Sequence, residues 1–305
     1  AMQIRNIRHE NGSVDFEMPE AEIVLDENGV PIRIGLRQRG EAEMLIEDFM
    51  VKANECVAEK FSQFPFLYRV HEKPSYEKVH ALSEFLVNFG INIGDSLTGK
   101  DAQRILAQVS GTSAEAVINT VVLRSMQKAR YATVNLGHFG LASEAYSHFT
   151  SPIRRYPDLT LHRQLAAYLD GKDARVPPKT LAKWAEWASE AEETAAEAER
   201  ALLEIKKYRL LEDQLSGRRA IEYDAVVSKC TPFGCFVEIP EISVSGLVHV
   251  SLLSDRFVEF NESDRSLSAP GGQRWRIGQK MRVYAVKVDF RQRRIDFAPV
   301  RTGRR

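Results

Sequence analysis

The chain has little cysteine, no long apolar run and no net charge, and each shortage removes a class of function. Three cysteines in 305 residues, Cys56, Cys230 and Cys235, are too few for a disulfide framework, which sets the expectation of a reducing, cytoplasmic compartment. Cys230 and Cys235 have no second Cys/His pair at zinc-like spacing, so they read as core or strand thiols rather than metal ligands. No stretch approaches the ~20 apolar residues that cross a bilayer, and no signal-peptide pattern is present, so no membrane partner is expected. An apolar fraction of 44% and a charged fraction of 28% are ordinary for a globular protein. The length leaves room for two domains, or one domain and part of another.

The balance of 42 basic against 42 acidic residues hides an asymmetry. From Arg218 to Arg305 there are 16 Lys+Arg and 10 Asp+Glu, and the remainder holds 26 basic and 32 acidic residues. A basic module beside an acidic body suits a protein that holds a polyanion.

The densest chemistry is the run Tyr146-Ser147-His148-Phe149-Thr150-Ser151-Pro152-Ile153-Arg154-Arg155-Tyr156-Pro157-Asp158. Pro152 and Pro157 disfavour a helical start inside it, so an extended or turned loop leading into a helix is expected. Arginine presents a rigid fork of donors matched to phosphate oxygens, and hydroxyls add weaker contacts. A plain surface loop would explain two arginines, but the whole block favours phosphate handling.

Around this run the pattern is mixed helix and strand. Residues 21–25 and 30–34 flank Asn28-Gly29 and read as a hairpin. A helix is expected from about Glu41 to Phe61, with Ala42, Leu45, Ile46, Phe49, Met50, Ala53 and Val57 as its core stripe and Glu47 and Asn54 two turns apart on its flank, where they can face a cavity rather than bulk water. Short helices follow between Tyr76 and Gly111 and from Thr112 to Ser125, then a strand at 131–134 and a helix from Asp158 to Leu169. Lys179 to Leu215 is the longest helix. Its seam is Leu181, Trp184, Ala188, Ala191, Ala195, Ala198, Leu202 and Ile205, and Ser216-Gly217 marks the domain boundary. From Ile221 the period changes to two. Strands at 223–229, 233–239, 246–250, 281–288 and 294–298, with a polar loop at 261–272, suggest an OB-type barrel.

The segment LGHFGLASEAYSHFTSPIRRYPDLTLH, Leu136 to His162, resembles the signature of the RNB family of 3′-to-5′ exoribonucleases. The likeness extends through LIEDFMVKANECVAEKF (Leu45 to Phe61) and LYRVHEKP (Leu67 to Pro74). PFGCFVEI, GLVHVS and IGQKMRVYAVKVD resemble the S1 RNA-binding domain. The resemblance implies an α+β chain: residues 1–217 as the C-terminal part of an RNB catalytic body, 218–300 as an S1 barrel, and 301–305 as a basic tail. It implies single-stranded RNA as partner and magnesium as cofactor, held in the family by a DxxDxDD-like aspartate cluster. No such cluster is present here. Asp158 is isolated, Asp95 and Asp101 sit apart, and Asp170 and Asp173 flank a Gly-Lys turn. The metal ligands are therefore expected upstream, and Ala1-Met2 reads as an internal start or an expression remnant. The chain alone is expected to be nearly inactive. It would be a trimmed enzyme, one subunit of a split enzyme whose partner carries the aspartates, or an RNA binder without chemistry.

By the same resemblance, Arg154 binds phosphate near the bond being cut and Glu199 lines the active site. Arg155 is structural or a weaker phosphate contact. Phe16 stacks on the terminal base, with a buried hairpin phenylalanine as the competing reading. Glu47 accepts a hydrogen bond from a base edge or ribose hydroxyl. Tyr156 lines the site or packs its ring. Phe233, Phe236 and His249 form a stacking face on the barrel, and Lys229, Arg282 and Arg294 are phosphate partners. His148 lines the site or is a hydrogen-bonded core histidine, with no assigned proton transfer.

Overall fold

The computed structural model describes residues 1–15, 20–37, 39–112, 114–217, 220–262 and 264–300. The chain begins with α1 (Met2–Glu10), the hairpin β1 (Glu20–Leu25) and β2 (Pro31–Arg37), and α2 (Glu41–Lys60). Next come β3 (Tyr68–Val70), α3 (Tyr76–Val87), α4 (Gly99–Val109), α5 (Glu115–Ser125) and β4 (Arg130–Ala132). Two helices follow, α6 (Tyr156–Leu169) and α7 (Pro178–Leu215). The remainder comprises β5 (Glu222–Thr231), β6 (Gly234–Ile239), β7 (Val244–His249), α8 (Val250–Leu253), β8 (Glu259–Asn261), β9 (Ser266–Ala269), β10 (Gln273–Trp275), β11 (Lys280–Asp289) and β12 (Arg294–Pro299). The chain forms two compact units: Ala1–Glu17, Arg39–Gln108 and Val121–Glu197 make one, and Met18–Gln38, Val109–Thr120 and Ala198–Arg305 the other.

In the first unit, β3 and β4 pair antiparallel with Arg69 opposite Tyr131. Alternation along β3 serves apolar clusters on both faces. Phe66, Tyr68 and Val70 join Ala58, Phe61, Ala132 and Leu161, whereas Leu67 joins Tyr131, Leu181 and Ala185. Fully burying a side chain such as Phe66 or Leu161 stabilises by about 1.5–3 kcal/mol, and both are at most 1% exposed.

The stripe expected to bury α2 lies largely outside. Leu45, Ile46 and Phe49 are 45%, 57% and 52% exposed, while Asp48, Val51, Asn54, Glu55 and Ala58 are buried. Apolar spacing misleads here because the buried polar residues are satisfied. Asp48 accepts from Arg5 at 2.7 Å and Arg8 at 3.2 Å, and Asn54 bonds to the 146–149 segment. The α7 seam fails in the same way past Ala188: Ala191, Ala195 and Ala198 are exposed, as are Leu202 and Ile205.

The second unit holds a closed barrel of order β11-β12-β7-β6-β5, antiparallel except for the β12–β7 pair that closes it. Val227, Val237, Ile239, Val248, Val283 and Phe297 fill the core, each fully buried. Gly246 is required where β7 passes β12, because a Cβ there would lie 2.5 Å from the Ile295 carbonyl and the Phe297 ring. Ile34 of the hairpin and Leu210 and Leu211 of α7 pack into the same cluster. The hairpin turn is closed by Asp26, whose Oδ1 accepts from the amides of Asn28 and Val30 at 2.9 and 2.7 Å, with Gly29 at φ +74°. The stretch read as a polar loop, 261–272, contains β9, which pairs with β8 and β10 at its two ends in a three-stranded antiparallel sheet. Strands of three or four residues offer too short an alternation to register.

Candidate functional site

The 146–158 run is an ordered loop pinned from three sides. The amide of Arg69 donates to the Tyr146 carbonyl at 2.8 Å, and Ser147 Oγ donates to the Leu67 carbonyl at 2.7 Å. Asn54 bridges the loop: its Nδ2 donates to Tyr146 Oη at 2.9 Å, and its Oδ1 accepts from the Phe149 amide at 3.0 Å. The Phe149 ring stacks on His162, with centroids 4.0 Å apart and planes 6° from parallel. The turn then closes on Asp158, which is fully buried. Its carboxylate accepts from the Ser151 amide at 2.8 Å and from Arg155 Nε and Nη2 at 2.9 and 2.7 Å.

This arrangement divides the two arginines. The fork of Arg155 is taken up by Asp158, which makes it part of the scaffold. Arg154 is exposed, and its guanidinium has no hydrogen bond or ion pair among the described residues. Beside it Ile153 is 98% exposed. Tyr156 is half-exposed and meets Trp184 edge-on at 5.7 Å. A rigid loop that presents one unpaired guanidinium is suited to an anion.

Behind the loop lies a cluster of neutral rings. Tyr131 Oη and His148 Nδ1 share a hydrogen bond of 2.8 Å. His71 Nδ1 and His138 Nδ1 accept from the amides of Gly140 and Leu141 at 3.1 and 3.3 Å. Burial, reinforced by His71 and Arg69, pushes His138 down to about 3. Burial, then Arg155 and Arg69, pushes His148 down to about 2. His71 is lowered too, first by burial, and burial raises Tyr131 to about 12. The Arg69 guanidinium lies 4.8 Å from the Tyr131 ring centroid and grips Glu192 bidentately.

Depressed histidines fix a pH window. Above pH ~6.5 the rings are neutral both folded and unfolded, and their contribution to stability is intact. Below it the unfolded chain takes up protons that folded His138 and His148 refuse, so stability is lost as pH falls toward 3 and 2. One pH unit below 6.5 the loss is about 1.4 kcal/mol for each ring. Urea titrations at pH 7.5 and 5.5 measure this, and coincident midpoints would show that the rings are accessible to protons when folded.

The remaining expected residues are distributed unevenly. Glu47 sits on α2 with its Oε2 2.6 Å from Arg39 Nη2, and Arg39 also reaches Asp15 at 3.1 Å. Phe16 lies outside the described residues. Glu199 is exposed on α7, in the other compact unit from Arg154. On the barrel, Lys229 is opposite Phe236, and Phe236 is opposite Leu247, which pairs with Asp296. His249 is opposite Gly234, next to Phe233. The Phe233 and Phe236 rings meet edge-to-face at 6.0 Å, and Phe233 is 50% exposed. His249 is exposed, with Nδ1 2.8 Å from Ser251 Oγ. Arg294 bonds Asp296 at 2.7 Å on this same outer row. Arg282 is opposite Asp224, far along β5, and pairs with Glu222 at 2.6 Å. Lys229, Phe233, Phe236 and His249 thus cluster, Arg294 flanks them, and Arg282 stands apart.

The residues missed from sequence are the supports Arg69, Tyr131 and above all Asp158, while Asn54, expected on the flank of α2 facing a cavity, is buried. Only Asp158 carried a signal, lying three positions after Arg155 at a helix start. Among the described residues no three His, Cys, Asp or Glu side chains are placed to hold a metal ion, so the described residues do not fit a magnesium site.

Comparison with known proteins agrees with this architecture. Residues 1–171 match the RNB domain and residues 221–298 the S1 RNA binding domain. Ribonuclease R 1 of Lactococcus lactis is 40% identical over 306 residues, covering 95% of this chain and 36% of the relative. Ribonuclease R of Thermotoga maritima is 39% identical over 308 residues, covering 97% of this chain and 43% of the relative. The structure of Mycoplasma genitalium RNase R in complex with ribose-methylated single-stranded RNA superposes with a TM-score of 0.83 at 29% identity, covering 97% of this chain and 48% of that one. The chain thus spans about two-fifths of the length of these sequence relatives. It belongs to the RNB family of exoribonucleases and carries an S1 RNA-binding domain.

Proposed function

We propose that this chain is the RNA-gripping part of a processive 3′-to-5′ exoribonuclease that hydrolyses single-stranded RNA to nucleoside monophosphates in the cytoplasm. In this reading residues 1–217 belong to the catalytic body and 218–300 to the RNA-binding barrel. Magnesium is held by an aspartate cluster contributed from upstream of the segment described. The observation that carries the reading is Arg154, an unpaired guanidinium on a loop fixed by a buried carboxylate. It holds a phosphate next to the scissile bond and stabilises charge that develops there. Glu199, exposed on α7, corresponds to a glutamate of the family's active site. Glu47, Phe16 and Tyr156 contact the terminal nucleotides, and Arg155 acts by shaping the loop. Single-stranded RNA bound to the Mycoplasma genitalium relative supports the choice of ligand.

The barrel supplies sequence-independent capture. Bases stack on Phe233, Phe236 and His249, while Lys229, Arg294 and, farther off, Arg282 meet phosphates. Replacing Phe233 and Phe236 together by alanine is expected to weaken RNA binding by about tenfold or more, since each stacked base contributes ~1–3 kcal/mol. Fluorescence anisotropy with a labelled oligonucleotide measures it, and an unchanged Kd would move the RNA off this face.

The exposed Leu45, Ile46 and Phe49 of α2 favour an upstream segment that covers them, in the same polypeptide or in a partner subunit. The deciding experiment mixes this chain with the Asp-containing portion of a relative, in magnesium, with end-labelled single-stranded RNA. Stepwise release of monophosphates only in the mixture supports the nuclease reading. Binding without cleavage in both arms supports a non-catalytic RNA binder, and no binding in either sinks both.

A further inference from the structure

Cys230 and Cys235 are opposed residues of β5 and β6, buried in the barrel core with their Sγ atoms 3.7 Å apart. Opposed residues on antiparallel strands hold their Cβ atoms about 4.5–5.5 Å apart. A disulfide needs Cβ atoms at about 3.5–4.5 Å and sulfurs at about 2.0 Å. The pair is therefore within a small strand adjustment of bonding, whereas the third thiol, Cys56, is exposed on α2. The four residues between the two cysteines form the turn that carries Phe233, and Lys229 and Phe236 are their immediate neighbours outside it. Chemistry at these sulfurs thus occurs directly beneath the candidate RNA-stacking face.

We propose that Cys230 and Cys235 are a redox modification site, joined by a hydroperoxide into a cross-strand disulfide that lowers the barrel's affinity for single-stranded RNA. The affinity part rests on the reading of this face as the RNA-binding surface. In the first step the Cys230 sulfur attacks a peroxide oxygen. An S–O bond forms, the O–O bond breaks, and one water leaves, taking up the Cys230 proton. In the second step the Cys235 sulfur attacks the Cys230 sulfenic sulfur. The S–S bond forms, the S–O bond breaks, and a second water leaves with the Cys235 proton. Two electrons pass from the thiols to the peroxide, and two thiols plus hydrogen peroxide give one disulfide plus two waters. The order follows from the hydrogen bond between the thiols, which lowers Cys230 and, with burial, raises Cys235. Cys230 Sγ also lies 3.6 Å from the Trp275 carbonyl, so the three-residue strand β10 covers the pair and must yield for peroxide to enter. Drawing the sulfurs together tightens the 231–234 turn and re-aims the Phe233 and Phe236 rings.

The test uses the chain with Cys56→Ser, which removes the exposed thiol, treated with hydrogen peroxide and compared with untreated protein. Expected are loss of two hydrogens by intact mass, a Cys230–Cys235 linked peptide, full reversal by dithiothreitol, and a rise of about fivefold in Kd for a single-stranded oligonucleotide. Cys230→Ala and Cys235→Ala should keep their untreated affinity under peroxide. Both thiols remaining alkylatable after treatment would overturn the site. A mapped disulfide with unchanged Kd would overturn the switch. An untreated chain that fails to bind RNA sinks the RNA-binding reading, while the bond itself is judged by mass alone.

Discussion

Arg154→Ala in the complete nuclease should lower turnover about a hundredfold or more while RNA affinity falls only a fewfold. The split follows from how the loop is built. The Ser151 amide and the Nε–Nη2 edge of Arg155 are fixed on the Asp158 carboxylate, so the backbone under Arg154 is set before substrate arrives. A donor held in place and aimed where charge develops is worth about 2.7–4 kcal/mol in the transition state, or 10²–10³ in kcat. Ground-state affinity is shared with the barrel and with every other phosphate contact along the strand, so one lost contact is diluted there. Arg154→Lys separates charge from geometry: it keeps the cation and loses the planar fork, and should fall between wild type and alanine. Single-turnover cleavage of an end-labelled RNA, beside anisotropy with the same strand, measures both quantities. A wild-type rate for Arg154→Ala would remove the residue from the scissile phosphate.

How far the sequence could be read depends on what kind of signal each part leaves. The barrel strands were legible because alternation over six to ten residues is a strong pattern, as in Tyr223, Ala225 and Val227, each buried between exposed or half-buried neighbours. The sheet of β8, β9 and β10 was not, since its strands are too short to alternate. The loop bearing Arg154 was legible as composition but not as construction. The distinction between its two arginines depends on a carboxylate three residues downstream, which spacing alone does not orient. On α2 the pattern pointed to the wrong face. Leu45, Ile46 and Phe49 carry the apolar spacing, yet the buried face is stabilised by Asp48 and Asn54 through partners 40 or more residues away in the chain. Long-range polar satisfaction leaves no periodic trace, which is why Asn54 was legible as a flank residue facing a cavity but not as a partner of Tyr146 and Phe149.

Asp158→Ala should be the most destabilising single change in the first unit, by about 3–5 kcal/mol, because it leaves a largely buried guanidinium without its partner. Arg155 has only 16% of its side chain exposed and Asp158 none, so water cannot replace the lost carboxylate without opening the loop. The Ser151 amide loses its acceptor in the same step, a further desolvation cost. Asp158→Asn keeps an acceptor for that amide but not the charge, and should lose less. The informative variant removes both partners. Arg155→Met with Asp158→Leu takes away the buried pair as a whole, and such exchanges cost far less than breaking a pair from one side. Urea unfolding should therefore place the double variant near wild type and Asp158→Ala well below it. If Asp158 acts by holding the loop for Arg154, the stable double variant should still lose turnover in the complete nuclease, because the Ser151 amide then has no carboxylate to anchor it. A double variant that regains both stability and wild-type turnover would show that the carboxylate serves folding alone and that Arg154 reaches its phosphate without it.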